Sequence, residues 1–178
     1  AALPDFVLAD LLTLAPSLRL RFPDVTANPS LDPKSEQQRL FESVVALCQA
    51  LCDRAPLLLV LEDAHWADSG SLALLRHLAR RTRRQPLLFV ATYREVELDQ
   101  TRPFQEVWLD LNRERLATRL RLSRRDRAGT RDMLKVLFTT EVTPEFLAGI
   151  YAETEGNPFF VEEVCKALVE SGQIFFAD

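Results

Sequence analysis

The chain has 178 residues, 47% of them hydrophobic, with 22 Lys and Arg against 26 Asp and Glu for a formal net charge of −4. That balance argues against a charge-driven grip on nucleic acid and against a disordered, self-repelling chain. No apolar run approaches the length of a membrane span and no basic-then-apolar leader is visible, so the sequence reads as a soluble sheet domain with room for a small helical unit.

In chain order, residues 1–34 mix apolar helical stretches with Pro16, Pro23, Pro29 and Pro33, and residues 25–33 read as a loop. Residues 36–54 form a strong amphipathic pattern, with Leu40, Phe41, Val44, Leu47, Cys48 and Leu51 expected on the buried side. Residues 57–68, LLLVLEDAHWAD, follow. Five apolar residues end in two adjacent acids, then a short turn and a helix. A parallel strand buried on both faces reads as such a continuous apolar run. Residues 68–85 have helical periodicity, with Leu72, Leu75, Leu78 and Ala79 on one face and Asp68 or Ser69 as N-cap. Residues 86–94, PLLFVATYR, repeat the strand design and place Arg94 just past its end. Strand, helix, strand at this spacing predicts a right-handed βαβ unit.

Beyond it, residues 95–103 read as a polar loop and residues 104–115 as a helix. Ser123 with Asp126 three residues on resembles a capping box that opens a helix through Phe138. Thr143 followed by Pro144 opens another, which runs to Glu155 and stops at Gly156. Pro158 opens the last helix and Gly172 closes it. The expected organisation is an α/β core over residues 1–122 and an all-helical unit over residues 123–178. Phe159 and Phe160 read as core packing. The arginine clusters at 80–84 and 113–127 lack interleaved aromatics and read as solvated helix faces. Cys48, Cys52 and Cys165 read as buried free thiols in a reducing, cytoplasmic setting, since His65 and His77 are poorly spaced to complete a zinc site.

The chemistry concentrates at the strand ends. Ligands of open α/β sheets bind outside the carboxyl ends of the strands. Glu62 and Asp63 at such a tip can hold Mg²⁺ and orient an attacking water. Arg94, at the same end, can reach phosphate oxygens with a planar, permanently charged fork.

These residues, LLLVLEDAHWAD, then TYR, then EGNPFF at 155–160, resemble the signalling ATPases called STAND NTPases. Within them the chain is most similar to the AAA-type module of large LuxR-type transcriptional regulators and of some bacterial cyclase and kinase regulators. The resemblance implies a P-loop NTPase parallel sheet, made of Walker B, sensor and final strands, flanked by helices and followed by a helical lid. It implies Mg²⁺ and ATP as ligands of the parent protein, with the Mg-ATP state sensed by the sheet edge and the lid. Glu62 matches the Mg²⁺-side acid and Asp63 the second acid that polarises water, with the choice of general base between them open. Arg94 matches the γ-phosphate sensor. Gly156 and Pro158 match the lid residues near the adenine. His65 and Trp66 match helix-entry and packing positions, and the final strand falls at residues 117–122.

A P-loop needs GxxxxGK[ST] to cradle phosphates with backbone N–H groups, a lysine and a hydroxyl. The five glycines are Gly70, Gly129, Gly149, Gly156 and Gly172, and none of Lys34, Lys135 and Lys166 follows a glycine. The P-loop is therefore absent from these residues, and the sequence reads as part of a module whose P-loop strand lies upstream. In the family that strand sits between the sensor and final strands, so its absence leaves open strand edges and an expectation of self-association or of completion by a missing segment.

Three function classes follow. The first is an ATP-binding regulatory switch joined to effector domains, DNA-binding ones among them, with slow hydrolysis in the parent and little nucleotide bound to this chain alone. The second is a nucleotide-free interaction scaffold with a degenerate NTPase fold. The third is a nucleic-acid motor, which would need a trans-acting arginine finger and a ring-forming surface that the sequence does not mark.

Overall fold

The computed structural model describes residues 3–95 and 102–173. The chain divides into two compact units, Ala1–Thr118 and Arg119–Asp178.

The first unit holds helices α1 (Asp5–Leu14), α2 (Pro33–Cys52), α3 (Ser69–Arg81) and α4 (Arg102–Arg113), and strands β1 (Leu57–Leu61) and β2 (Leu87–Ala91). The strands pair in parallel, Leu57 opposite Leu87 through to Leu61 opposite Ala91. Helix α2 starts where the chain supplies both an extended cap and a pre-set φ. The Asp32 carboxylate accepts from the Lys34 and Ser35 amides, and Pro33 occupies the first helical position. Asp68 does the same for α3, accepting from the Gly70 and Ser71 amides. Its carboxyl is held below the usual carboxylate range by the Ser71 hydroxyl first, then by the Ser71 and Gly70 amides.

Two cores hold this unit. One packs Val45, Cys48 and Leu78 against Leu57, Leu59, Leu87 and Phe89 on one sheet face. The other gathers Ala64, Leu72, Phe104, Val107 and Leu111, joining the turn after β1 to α3 and α4. Ion pairs reinforce the helix contacts: Arg76 to Asp110 at 3.0 Å, Arg80 to Glu114, Arg81 to Glu42 at 3.2 Å and His77 to Glu42 at 3.2 Å. The arginine cluster of α3 thus binds neighbouring helices as well as facing water.

Several expectations are corrected. The strands are not buried on both faces. Leu58, Val60, Leu88 and Val90 are exposed while Leu57, Leu59, Leu87 and Phe89 are partly buried, because among the described residues helices cover one face only. Residues 117–122 form no strand, and Leu120 and Leu122 are 84% and 87% exposed. A strand is a product of its neighbours, and among the described residues β1 and β2 pair with no third strand. Helix α2 does not bury a single stripe. Its buried positions are Ser43, Val45, Cys48 and Cys52, and Leu51 is 41% exposed, because α1 packs on one side of it and the sheet with α3 on another. Of the expected polar loop at 95–103, residues 96–101 lie outside the described residues, and Arg102 and Pro103 already belong to α4.

Among the described residues the second unit holds three helices, α5 (Arg127–Phe138), α6 (Pro144–Thr154) and α7 (Pro158–Glu170), around Leu134, Leu147, Ile150, Val161 and Cys165. Thr143 caps α6 with Pro144 at its first turn. The cap of α5 is Asp126 itself, whose carboxylate accepts from the Gly129 amide at 2.7 Å, and Ser123 does not open the helix. Helix α6 ends at Thr154, with Glu155 and Gly156 both in the left-handed region at φ 48° and 73°. Phe159 and Phe160 are not core. They are 61% and 49% exposed and stack on each other, edge to face, at the start of α7. Pro158 and the Asn157 cap set the phase of that helix, and in this phase Val161 and Cys165 take the inward positions. Cys48, Cys52 and Cys165 are free and buried, and burial pushes the Cys48 and Cys165 thiols up.

Candidate functional site at the carboxyl end of the sheet

The parallel register makes both strands end at one edge, so the residues that follow each strand meet there. Glu62 and Asp63 follow β1 directly, and Thr92, Tyr93 and Arg94 follow β2. Glu62 and Asp63 are both exposed. Asp63 has φ 50° and ψ 43°, a left-handed conformation that Asp tolerates better than most residues. This kink ends the strand and starts a single helical turn, Ala64–Trp66.

Thr92 holds the kink in place. Its amide donates to the Leu61 carbonyl at 2.9 Å, its carbonyl accepts from the Ala64 amide at 2.9 Å, and its hydroxyl oxygen accepts from the Asp63 amide at 3.1 Å. The second acid is therefore positioned by the residue two before the arginine. Beneath the turn, Ala64 is 2% exposed and packs in the cluster of Phe104 and Val107, with Tyr93 against the same cluster. The Tyr93 and Phe104 rings are 5.1 Å apart.

His65 is turned inward. Its side chain is fully buried, Nδ1 lies 4.0 Å from Asp63 Oδ1, and its ring lies 4.9 Å from that of Trp66. A buried ring cannot present a base to a ligand in solvent, so its place is that of a packing residue. Trp66 is exposed, and the Arg94 guanidinium lies over its indole at 5.6 Å from the ring centroid.

Glu62, Asp63 and Arg94 are thus gathered at one sheet end. Gly156 and Pro158 belong to the second unit. There Gly156 is buried at the crossing of two chain segments, where its carbonyl accepts from the Arg125 amide at 2.8 Å. Pro158 stands at the first position of α7, behind the Asn157 cap. Thr92 was not singled out from the sequence. Thr92 opens the TYR motif that carries the resemblance, but a threonine ending a parallel strand beside an acid turn is common and gives no sign of a clamp.

The donor set bears on which ligands fit. Mg²⁺ keeps several waters and takes one or two carboxylates beside phosphate oxygens. Two exposed carboxylates on a turn held in place fit that partial shell. Among the described residues no group of three or more His, Cys, Asp or Glu could hold a metal. A magnesium ion here would therefore draw the rest of its shell from water and phosphate. The triphosphate itself lacks its cradle, since no GxxxxGK[ST] occurs in the 178 residues.

The sequence profile of the AAA ATPase domain matches residues 1–90, half of the chain, including β1 and the acid turn. The chain belongs to the AAA ATPase domain family. It is also 31% identical over 139 residues, 76% of its length, to an uncharacterized protein of Rhizobium meliloti (strain 1021). The chain spans 12% of that relative's length, so this AAA ATPase domain sequence corresponds to a small part of a much larger protein there. No solved structure matches it significantly. Among the described residues no helix is long and apolar enough to cross a membrane.

Proposed function

We propose that this chain is the acid-and-sensor part of an ATP-binding regulatory switch of the STAND type, as found in LuxR-type regulators and related bacterial signalling proteins. The observation that carries the reading is the Thr92 clamp, which ties the acid turn after β1 to the tip of the strand that bears Arg94. An ordinary solvated turn has no need of two hydrogen bonds, from the Asp63 and Ala64 amides, to the neighbouring strand end. The family membership supports the ATPase chemistry, and the HWAD and GNPFF motifs support the branch.

When bound, Mg-ATP supplies the phosphoryl group to be read or transferred. In that site Glu62 takes the magnesium side. Asp63, held by its amide on Thr92, orients a water. Arg94 meets the charge of the terminal phosphate with its planar fork. Gly156 and Pro158, in the helical unit, are assigned to the nucleotide by the resemblance alone. A phosphate loop would have to come from a segment other than these 178 residues, since no GxxxxGK[ST] occurs in them. The exposed sheet face of Leu58, Val60, Leu88 and Val90, and sheet edges that pair with no further strand among the described residues, support completion by such a segment. Those same edges are where this chain alone would self-associate. The setting is cytoplasmic, and the switch acts on attached effector domains.

A second reading has one observation in its favour. A scaffold without nucleotide would also lack a phosphate cradle, and it would use the exposed aliphatic face for a protein partner.

The two readings separate in turnover. In a longer form that includes the phosphate loop, Asp63→Asn, Glu62→Gln and Arg94→Ala should each lower single-turnover ATP hydrolysis by roughly 10²-fold or more, as removal of an aligned transition-state group does. Hydrolysis unchanged in all three would remove the site from the chemistry.

A further inference from the structure

Trp66 sits in a turn whose other members, Ala64 and His65, are 2% and 3% exposed, yet it is itself 66% exposed. Exposure alone carries nothing, since single apolar side chains in water are common. What distinguishes Trp66 is the group that lies on it. The Arg94 guanidinium carbon is 5.6 Å from the indole centroid, within the distance at which the negative face of an indole attracts a cation. The indole is not free to wander. Its neighbour His65, fully buried, rests against it at 4.9 Å, and the Trp66 amide donates to the Asp63 carbonyl at 2.9 Å.

The two partners come from different strands. Trp66 follows β1 by the acid turn, and Arg94 follows β2 by two residues beyond the clamp on that turn. An arginine side chain that pointed simply into solvent would sample many rotamers and bring its charge to the acids only part of the time. On the indole it is held at the turn that carries both carboxylates.

We propose that Trp66 is a positioning residue for Arg94, holding the guanidinium at the acid turn until a terminal phosphate takes it away. A phosphate offers two charged oxygens to the guanidinium fork, a stronger partner than an aromatic face. The indole is therefore a resting place for Arg94, and its own environment reports whether the arginine is there. The release step rests on the ATP-switch reading above, and the resting contact does not.

The contact is tested on the 178-residue chain by NMR. In the wild type the side-chain Hδ and Hε protons of Arg94 should be shifted upfield by the indole ring current. Trp66→Leu should abolish that shift and Trp66→Phe should retain part of it. Because Trp66 is exposed, both variants should keep the backbone amide spectrum of Asp63 and Ala64. A purely structural role for Trp66 would not give rescue by phenylalanine. An Arg94 spectrum that is the same in the wild type and in Trp66→Leu overturns the proposal.

Release is tested by fluorescence on a longer form with the phosphate loop, its other tryptophans replaced by phenylalanine. Saturating Mg-ATP should change Trp66 emission in the wild type and leave it unchanged in Arg94→Ala. ATP that binds without altering Trp66 emission overturns release and leaves the ATP-switch reading standing. ATP that does not bind at all overturns that reading and release together, while the ring-current comparison still decides the contact.

Discussion

Replacing Gly156 with alanine is expected to destabilise the helical unit by roughly 2–5 kcal/mol, the sum of a left-handed backbone penalty and an overpacked crossing. Gly156 has φ +73°, and a Cβ there would fall inside the Arg125 carbonyl, with Arg125 C at 3.0 Å and Tyr151 Cε2 at 3.2 Å. The neighbour that must move is backbone, and it is tied to Gly156 by the Arg125 amide to Gly156 carbonyl bond. Side-chain rearrangement therefore cannot relieve the clash. The same experiment has an internal control. Gly149 lies within α6, with nothing within 4 Å of a would-be Cβ. Gly149→Ala should stabilise by about 0.5–1 kcal/mol through helix propensity. Urea unfolding followed by far-UV circular dichroism measures both. A Gly156→Ala protein within 0.5 kcal/mol or so of the wild type, inside the range of ordinary surface changes, would contradict the geometry. This backbone requirement holds whatever Gly156 does for a nucleotide.

The second large effect is expected at Asp10. Its carboxylate is buried on α1 and accepts from Arg39 Nε at 3.0 and 3.2 Å, from Ser43 Oγ at 3.0 Å and from Asn28 Nδ2 at 2.8 Å. Arg39 also donates to the Pro29 carbonyl at 2.9 Å, and Asn28 to the Phe6 carbonyl at 2.7 Å. One carboxylate thus fastens α1, the loop at 25–33 and α2, the helix that supports the sheet. Asp10→Ala strands three donors and leaves the arginine without its counter-ion. Breaking a buried pair from one side typically costs about 3–5 kcal/mol, and the 27% exposure of the Arg39 side chain reduces this to about 2–4 kcal/mol. Arg39→Met alone should cost less. The double variant should be less destabilised than the two single changes predict together, because neither partner is then left unpaired. Additive effects in this cycle would show that the network is a crystal of geometry with no energetic coupling.

Those two sites also mark the limits of what a sequence tells. The strands, their acid and arginine ends, and the caps at Asp68 and Thr143 are legible because each is a local signal: an apolar run, a carboxylate before a helical period, a threonine before a proline. Gly156 is legible as a helix stop but not as a crossing point, since Arg125 is distant in the chain. Asp10 looks like one more acid on an amphipathic helix, because its partners lie 18 to 33 residues away. The cap of α5 is ambiguous for a different reason. Ser123 and Asp126 are both good caps, and the choice falls to the packing of Thr130 and Leu134, each fully buried. Residues 117–122 have strand composition, but strand formation depends on a neighbour that the sequence of the segment does not contain.

At the site, the acids and Arg94 follow from motif and topology, whereas Thr92 and the Trp66 contact depend on a register known only once β1 and β2 are paired. The exposed faces of those strands are informative in the same way. LLLVL and LLFVA are sequences for two-sided burial, yet Leu58, Val60, Leu88 and Val90 stay exposed among the described residues.

Under the proposed function, this domain reads Mg-ATP once a phosphate loop completes it. Calorimetric titration of Mg-ATP into the 178-residue chain and into a longer form that includes the loop tests it most directly. Binding by the longer form alone, weakened by Arg94→Ala, is the predicted result. No binding by either form would contradict the claim and leave a nucleotide-free scaffold.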